Sequence, residues 1–148
     1  MLLSVHTIAG ALIGEKINNP YLAFSLGLIS HFLLDMIPHG DLKRPTKLNN
    51  FIYIALGGLA DLSILGFFLI YFDLKNLLNL NVLLAILGSL LPDLVFIFYR
   101  YRDKKYFKSY FNFHEKLHNT ISKNFDLKFN WGLILQILII LTLTKIIL

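Results

Sequence analysis

The chain is predicted to fold as an all-α integral membrane bundle of about five membrane helices, with one basic amphipathic helix lying along the interface. Three observations predict it. Of the 148 residues, 56% are hydrophobic and only 16% charged, whereas an ordinary soluble domain carries about a quarter charged. Phe51–Phe72 has Asp61 as its only charge and, at 1.5 Å per residue, is long enough to cross a ~30 Å hydrocarbon core. The formal charge of +5 is unevenly spread, because Arg100, Arg102, Lys104, Lys105, Lys108, Lys116, Lys123 and Lys128 share one segment. The length suits a single domain, residues 1–148, and no linker, repeat or low-complexity tract divides it.

The first helix is expected over residues 2–17, apolar except for Ser4, His6 and Thr7 until Glu15-Lys16. Lys and Arg are missing ahead of its apolar core, where a cleaved secretory signal carries them, so this segment is assigned to the mature fold. Asn18-Asn19-Pro20 breaks the chain, and Pro20 suits the first turn of a second helix that runs to Ile37 and stops at Pro38. Gly27 and Ser25 are its small contact residues. A loop with Lys43, Arg44 and Lys47 leads to the third helix, Phe51–Phe72. The fourth is expected over Val82–Tyr99 after a short polar turn. Between Arg100 and Lys128 a helix over Lys104–Lys123 is too charged to span and is expected along the interface. Phe129–Leu148 is a second near-uniform apolar run, with Lys145 its only charge.

A basic segment interleaved with Tyr99, Tyr101, Tyr106, Phe107, Tyr110, Phe111 and Phe113 could meet nucleic acid or an anionic membrane. Beside so many apolar helices the lipid bilayer is the expected partner, and nucleic acid is not. If each apolar helix crosses once, the two basic segments share a side. The positive-inside rule then makes the protein a multi-pass inner-membrane protein with a cytoplasmic N-terminus.

Within this apolar chain, Ser30-His31-Phe32-Leu33-Leu34-Asp35 demands a reason for its ionisable groups, since burying them unpaired costs several kcal/mol. His31 and Asp35 stand at i and i+4, on one helical face, where they could hold an ion or pair as interhelical glue. In Leu90-Leu91-Pro92-Asp93, Pro92 removes a hydrogen bond to the Gly88 carbonyl, which should kink the helix, re-aim Asp93 and free a backbone oxygen. His114-Glu115-Lys116-Leu117-His118 satisfies the His-Glu-x-x-His pattern, two imidazoles at i and i+4 with Glu115 in the position of a general base. His6, His31, Asp35 and Asp93 all fall within roughly 10 Å of one membrane face at 1.5 Å rise, and the helix with His114 and His118 rests on that face. Asp61 lies about 15 Å deep, as a second acceptor, a bridge to a neighbour's backbone or part of a proton path. His39 and Asp41 could cap the second helix or complete a further metal position. Without cysteine there is no disulfide framework or thiolate site. His nitrogen and carboxylate oxygen suit zinc first, and also manganese, iron or magnesium.

Val5-His6-Thr7, Ser30 to Asp35, Leu90 to Asp93 and His114 to His118 together resemble the inner-membrane metal-dependent hydrolases, described also as LexA-binding inner-membrane-associated hydrolases. Those proteins show Thr-His near the start, Leu-Pro-Asp, His-Arg-x-x-Thr-His-Ser and Ser-His-x-Leu-Leu-Asp. Here the last element precedes Leu-Pro-Asp, and His114-Glu115 and Asn119 replace the His-Arg pair and the closing Ser. The resemblance implies His6, His31, Asp35, Asp93, His114 and His118 as metal ligands. A more distant similarity is to zinc-dependent phospholipases C. The expected function is hydrolysis with one or two divalent ions, Asp35 or Glu115 taking the proton, and an anionic phosphoester or lipid head group gathered by the basic segment. An ion transporter and a non-catalytic membrane assembly subunit are the alternatives.

Overall fold

The computed structural model describes residues 1–40, 48–72, 78–101, 108–122 and 127–147. Among them are six helices and no strand: α1 Leu3–Lys16, α2 Pro20–Asp35, α3 Leu48–Tyr71, α4 Leu80–Tyr101, α5 Lys108–Ser122 and α6 Phe129–Ile147. The loop residues Asp41, Lys43, Arg44 and Lys47, and the basic residues Arg102, Lys104, Lys105 and Lys123, lie outside the described residues.

Local chemistry sets the helix ends. Asn19 caps α2, its Oδ1 accepting from Tyr21 N and Leu22 N at 3.0 Å each, with Pro20 in the first turn where its missing N–H costs nothing. At the other end Met36 N and Ile37 N close the last turn on Phe32 O and Leu34 O just before Pro38. α4 opens on Asn79, whose Oδ1 accepts from Asn81 N at 2.9 Å, and continues through Pro92 without ending.

Three helices, α1, α2 and α4, form the centre; α3 and α6 pack on α1, and α5 lies against α2 and α4. Small residues bring the central three close. A Cβ on Gly27 would collide with the Ala85 carbonyl, and one on Gly88 with the Phe24 carbonyl, so α2 and α4 approach backbone to backbone at two reciprocal points. Gly10 and Gly14 do the same for α1 against Ile86 and Val82, the small-xxx-small packing that apolar helices favour. Ser25, expected at this contact, is exposed and bonds back to Tyr21 O. Val5, Ile8, Ala11, Phe68, Phe72, Val82 and Ile140 fill the core.

Replacing Gly88 with Leu should therefore push α2 from α4. Overpacking of this kind costs ~1–3 kcal/mol or more, which for a chain of this size lowers Tm by about 2–4 °C per kcal/mol. Thermal unfolding in detergent, followed by helical circular dichroism, checks it, with Gly58→Leu as control because nothing lies within 4 Å of that position.

Among the described residues only α6 is long and apolar enough to cross a membrane, over Phe129–Ile146 with mean hydropathy 1.7. The apolar parts of α2, α3 and α4 are shorter.

Candidate metal centre

The site forms where α1, α2, α4 and α5 meet. His31 and Asp35 project from one face of α2, with His31 Nε2 3.2 Å from Asp35 Oδ2. Across the α2–α4 seam, Asp93 Oδ1 lies 3.9 Å from the same nitrogen. From α5, His114 Nε2 comes to 3.3 Å of His31 Nε2 and 3.8 Å of Asp35 Oδ2. One ligand atom from each of these four residues lies within 4.8 Å of every other, so the group can hold a metal ion. Four ligands at 2.0–2.2 Å around a tetrahedral ion stand about 3.4 Å apart, and the separations of 3.2, 3.3, 3.8 and 3.9 Å bracket that value.

Proton positions make the fit chemical as well as geometric. His31 Nδ1 lies 2.8 Å from the Ser89 carbonyl, which can only accept, so Nδ1 carries the proton. In the neutral ring, Nε2 then turns its lone pair toward Asp35, Asp93 and His114. A ring lone pair that faces two carboxylates in a buried pocket is satisfied by a shared cation. A ligating histidine that donates its other nitrogen to a backbone carbonyl is the arrangement that fixes tautomer and orientation at metal sites. The oxygen used is one residue on from the Gly88 carbonyl expected to be freed, in the turn that Pro92 loosens.

Burial holds the His114 imidazole below the ordinary 6.5, with Asp35 and Asp93 offsetting part of the effect. The ring thus stays neutral, with a nitrogen lone pair to offer, across the neutral range. Tyr110, four residues earlier on the same face, donates to Pro92 O at 3.1 Å and ties α5 to the turn that bears Asp93. Burial, helped by the Asp93 and Asp35 charges, pushes its hydroxyl up to about 12, which keeps that proton in place.

A pH dependence follows. Because His114 titrates lower in the folded chain than in the unfolded one, its contribution to stability is present above pH 6.5 and is lost as the pH falls through the folded value. Protons compete with the ion for the His114 lone pair, so metal should be retained in equilibrium dialysis above the ordinary imidazole value of 6.5 and released progressively as the pH falls below it.

The other predicted residues take different places. His6 is fully buried; its Nε2 lies 3.2 Å from Asp35 Oδ1, off the line a hydrogen bond needs, and neither ring nitrogen has a hydrogen-bond partner. Met1 N also donates to Asp35 Oδ1, at 3.1 Å. His118 stands outside the group of four, its ring edge-on to His39 at 5.0 Å. His39 is buried, with Nδ1 donating to Ile37 O at 2.7 Å. Glu115 is exposed and, with Asp93, His114, His118 and Asn119, lines a cavity of about 310 Å³ that opens onto Asp35. Asp61 is no member of the site but caps α1 from α3: its Oδ2 and Oδ1 accept from Leu3 N at 2.7 Å and Ser4 N at 3.0 Å. A carboxylate at a helix N-terminus is favourable, and α1 has no side-chain cap of its own. Gln136, which the sequence pattern does not single out, completes this anchor. It accepts from Leu2 N at 2.7 Å and donates to His39 O at 3.2 Å. Its one signal is a lone amide in the middle of the last apolar run.

No family model, curated protein or solved structure matches this chain.

Proposed function

We propose that this chain is a membrane-embedded, divalent-metal-dependent hydrolase that acts on an anionic phosphoester at the cytoplasmic face. The observation that carries the reading is the His31 ring, whose proton is committed to Ser89 while its lone pair joins Asp35, Asp93 and His114 at the floor of an open cavity. Zinc is the ion that a set of two imidazoles and two carboxylates suits best. When bound, such an ion supplies Lewis acidity, polarising an ester oxygen and lowering the pKa of water toward 7.

The remaining roles belong to the chain's own groups. Asp35 and Asp93 give the site negative charge to hold a cation. Glu115, exposed at the mouth, is free to take a proton from the attacking water, whereas both Asp35 oxygens already face imidazoles. Lys116 follows Glu115 and lines the adjoining surface depression with Asn112, Glu115, Asn119 and Thr120, where its ammonium can draw in an anionic group.

Membrane embedding is supported by the outward side chains. Leu56, Leu59, Leu62, Phe67 and Ile70 on α3 and Trp131, Ile134, Leu138 and Leu141 on α6 are exposed, far beyond the scattered apolar residues of a water-soluble surface. Only 17% of the Phe129–Ile146 window is buried inside the protein, whereas a soluble core helix would be covered. The five-span bundle, with α5 along the interface and the N-terminus cytoplasmic, remains the topology we favour. The resemblance to inner-membrane metal-dependent hydrolases agrees with this reading. Ion passage is disfavoured because Ile8, Ala11, Phe68, Phe72 and Val82 make a dry core beyond His6.

Elemental analysis of purified protein, paired with hydrolysis of an aryl phosphodiester and of phospholipid vesicles, tests the proposal. Stoichiometric metal and ester cleavage, both lost in His31→Ala and Asp93→Ala, are expected. Protein free of metal, or metal-loaded protein that cleaves neither ester, would overturn it.

A further inference from the structure

We infer that Asp35 bridges two divalent ions, the second held between its Oδ1 and His6. This rests on the metal centre proposed above and extends it by one position. The His6 and His31 rings are stacked, with centroids 4.3 Å apart and planes 25° from parallel. An imidazole binds a metal along its nitrogen lone pair, in the plane of the ring, at about 2.0–2.1 Å. Two nearly parallel planes this far apart do not meet within that distance. One ion close to both Nε2 atoms would sit over the ring faces, off both lone pairs.

The two rings therefore cannot serve one ion, and Asp35 divides them. His6 Nε2 lies 3.2 Å from Oδ1 and His31 Nε2 lies 3.2 Å from Oδ2. The first ion belongs to Oδ2, His31, Asp93 and His114. The second belongs to Oδ1 and His6, where it takes the place of the Met1 nitrogen now donating to Oδ1. His6 supplies the independent observation: it is fully buried, yet neither of its nitrogens has a hydrogen-bond partner. An imidazole is costly to bury in that state and is satisfied as a ligand. With only two protein ligands, the second position leaves its other coordination sites to water and substrate. A bridged pair clamps both the attacking and the leaving oxygen of an in-line displacement, which favours a phosphoester as substrate.

The test is titration of the full-length, detergent-solubilised protein with Mn2+, reading bound ion by equilibrium dialysis and spin state by electron paramagnetic resonance. Two ions per chain are expected, the first bound more tightly. A spin-coupled spectrum should grow in at the second equivalent. His6→Gln should bind one ion and give the six-line spectrum of isolated Mn2+. Wild-type protein that saturates at one ion, or that binds two without coupling, overturns the bridged second position and leaves the first intact. Wild-type protein that binds none overturns the metal centre as well. Both readings come from the unmodified chain, so the outcome is decided even if the His6 variant does not fold.

Discussion

Exchanging Asp35 for Asn is expected to strip the protein of its divalent metal and its hydrolytic activity together. The carboxylate sits 3.2 Å from His31, 3.2 Å from His6 and 3.8 Å from His114, so it is the common neighbour of three imidazoles. Asparagine keeps the shape but removes the negative charge that offsets a buried cation, and its N–H can occupy the ring-nitrogen lone pair that the ion needs. Loss of a group that merely hydrogen-bonds a ligand costs about 10–100-fold in metal affinity. Loss of this carboxylate should exceed that range, measured by competition against a chelating dye. The Asp93→Asn variant should lose less, because that side chain is 30% exposed and its 3.9 Å approach to His31 is longer than any of the three approaches that Asp35 makes to an imidazole. Equal affinities in wild type and Asp35→Asn would remove Asp35 from the ligand set.

The second large effect is expected at Glu115, and it should separate chemistry from metal binding. Glu115 is exposed at the cavity mouth and is not one of the four grouped residues, so Glu115→Gln should keep the full complement of metal and the same thermal stability. A general base typically contributes 10²–10⁴-fold, and kcat should fall by about that factor while KM changes little. A uniform rise in KM with kcat intact would instead mark Glu115 as a residue that contacts bound substrate. An unchanged kcat would move the proton to another acceptor.

Much of this architecture is legible in the sequence because apolar helices announce their limits. Pro20, Pro38 and the polar breaks delimit α1 and α2 to within two residues of the observed ends, and the basic helix expected over Lys104–Lys123 is present over its described part, Lys108–Ser122. The convergence of His31, Asp35, Asp93 and His114 is anticipated from helix rise once each apolar helix is taken to cross a membrane, although their separations along the chain exceed 80 residues at the extreme. Depth does not resolve rotation about a helix axis. That is why His118, one turn beyond His114, could be assigned to the same ion but turns instead toward His39. Nor does depth reveal which backbone oxygen orients His31, since the Ser89 carbonyl has no side-chain signature. The glycine seam is readable only in part: Gly27 stands out, but its reciprocal partner Gly88 takes its meaning from the pairing of α2 with α4. Asp61 shows the opposite case, a charge in an apolar helix whose use is to cap another helix rather than to bind an ion.

X-ray absorption of protein loaded with one equivalent of zinc tests the centre most directly. Two imidazoles, with nitrogen at about 2.0–2.1 Å, together with oxygens from carboxylate and water are predicted, and one imidazole should vanish in His114→Ala. A shell of oxygen alone, or one that His114→Ala leaves unchanged, would contradict a metal ion shared by α2, α4 and α5.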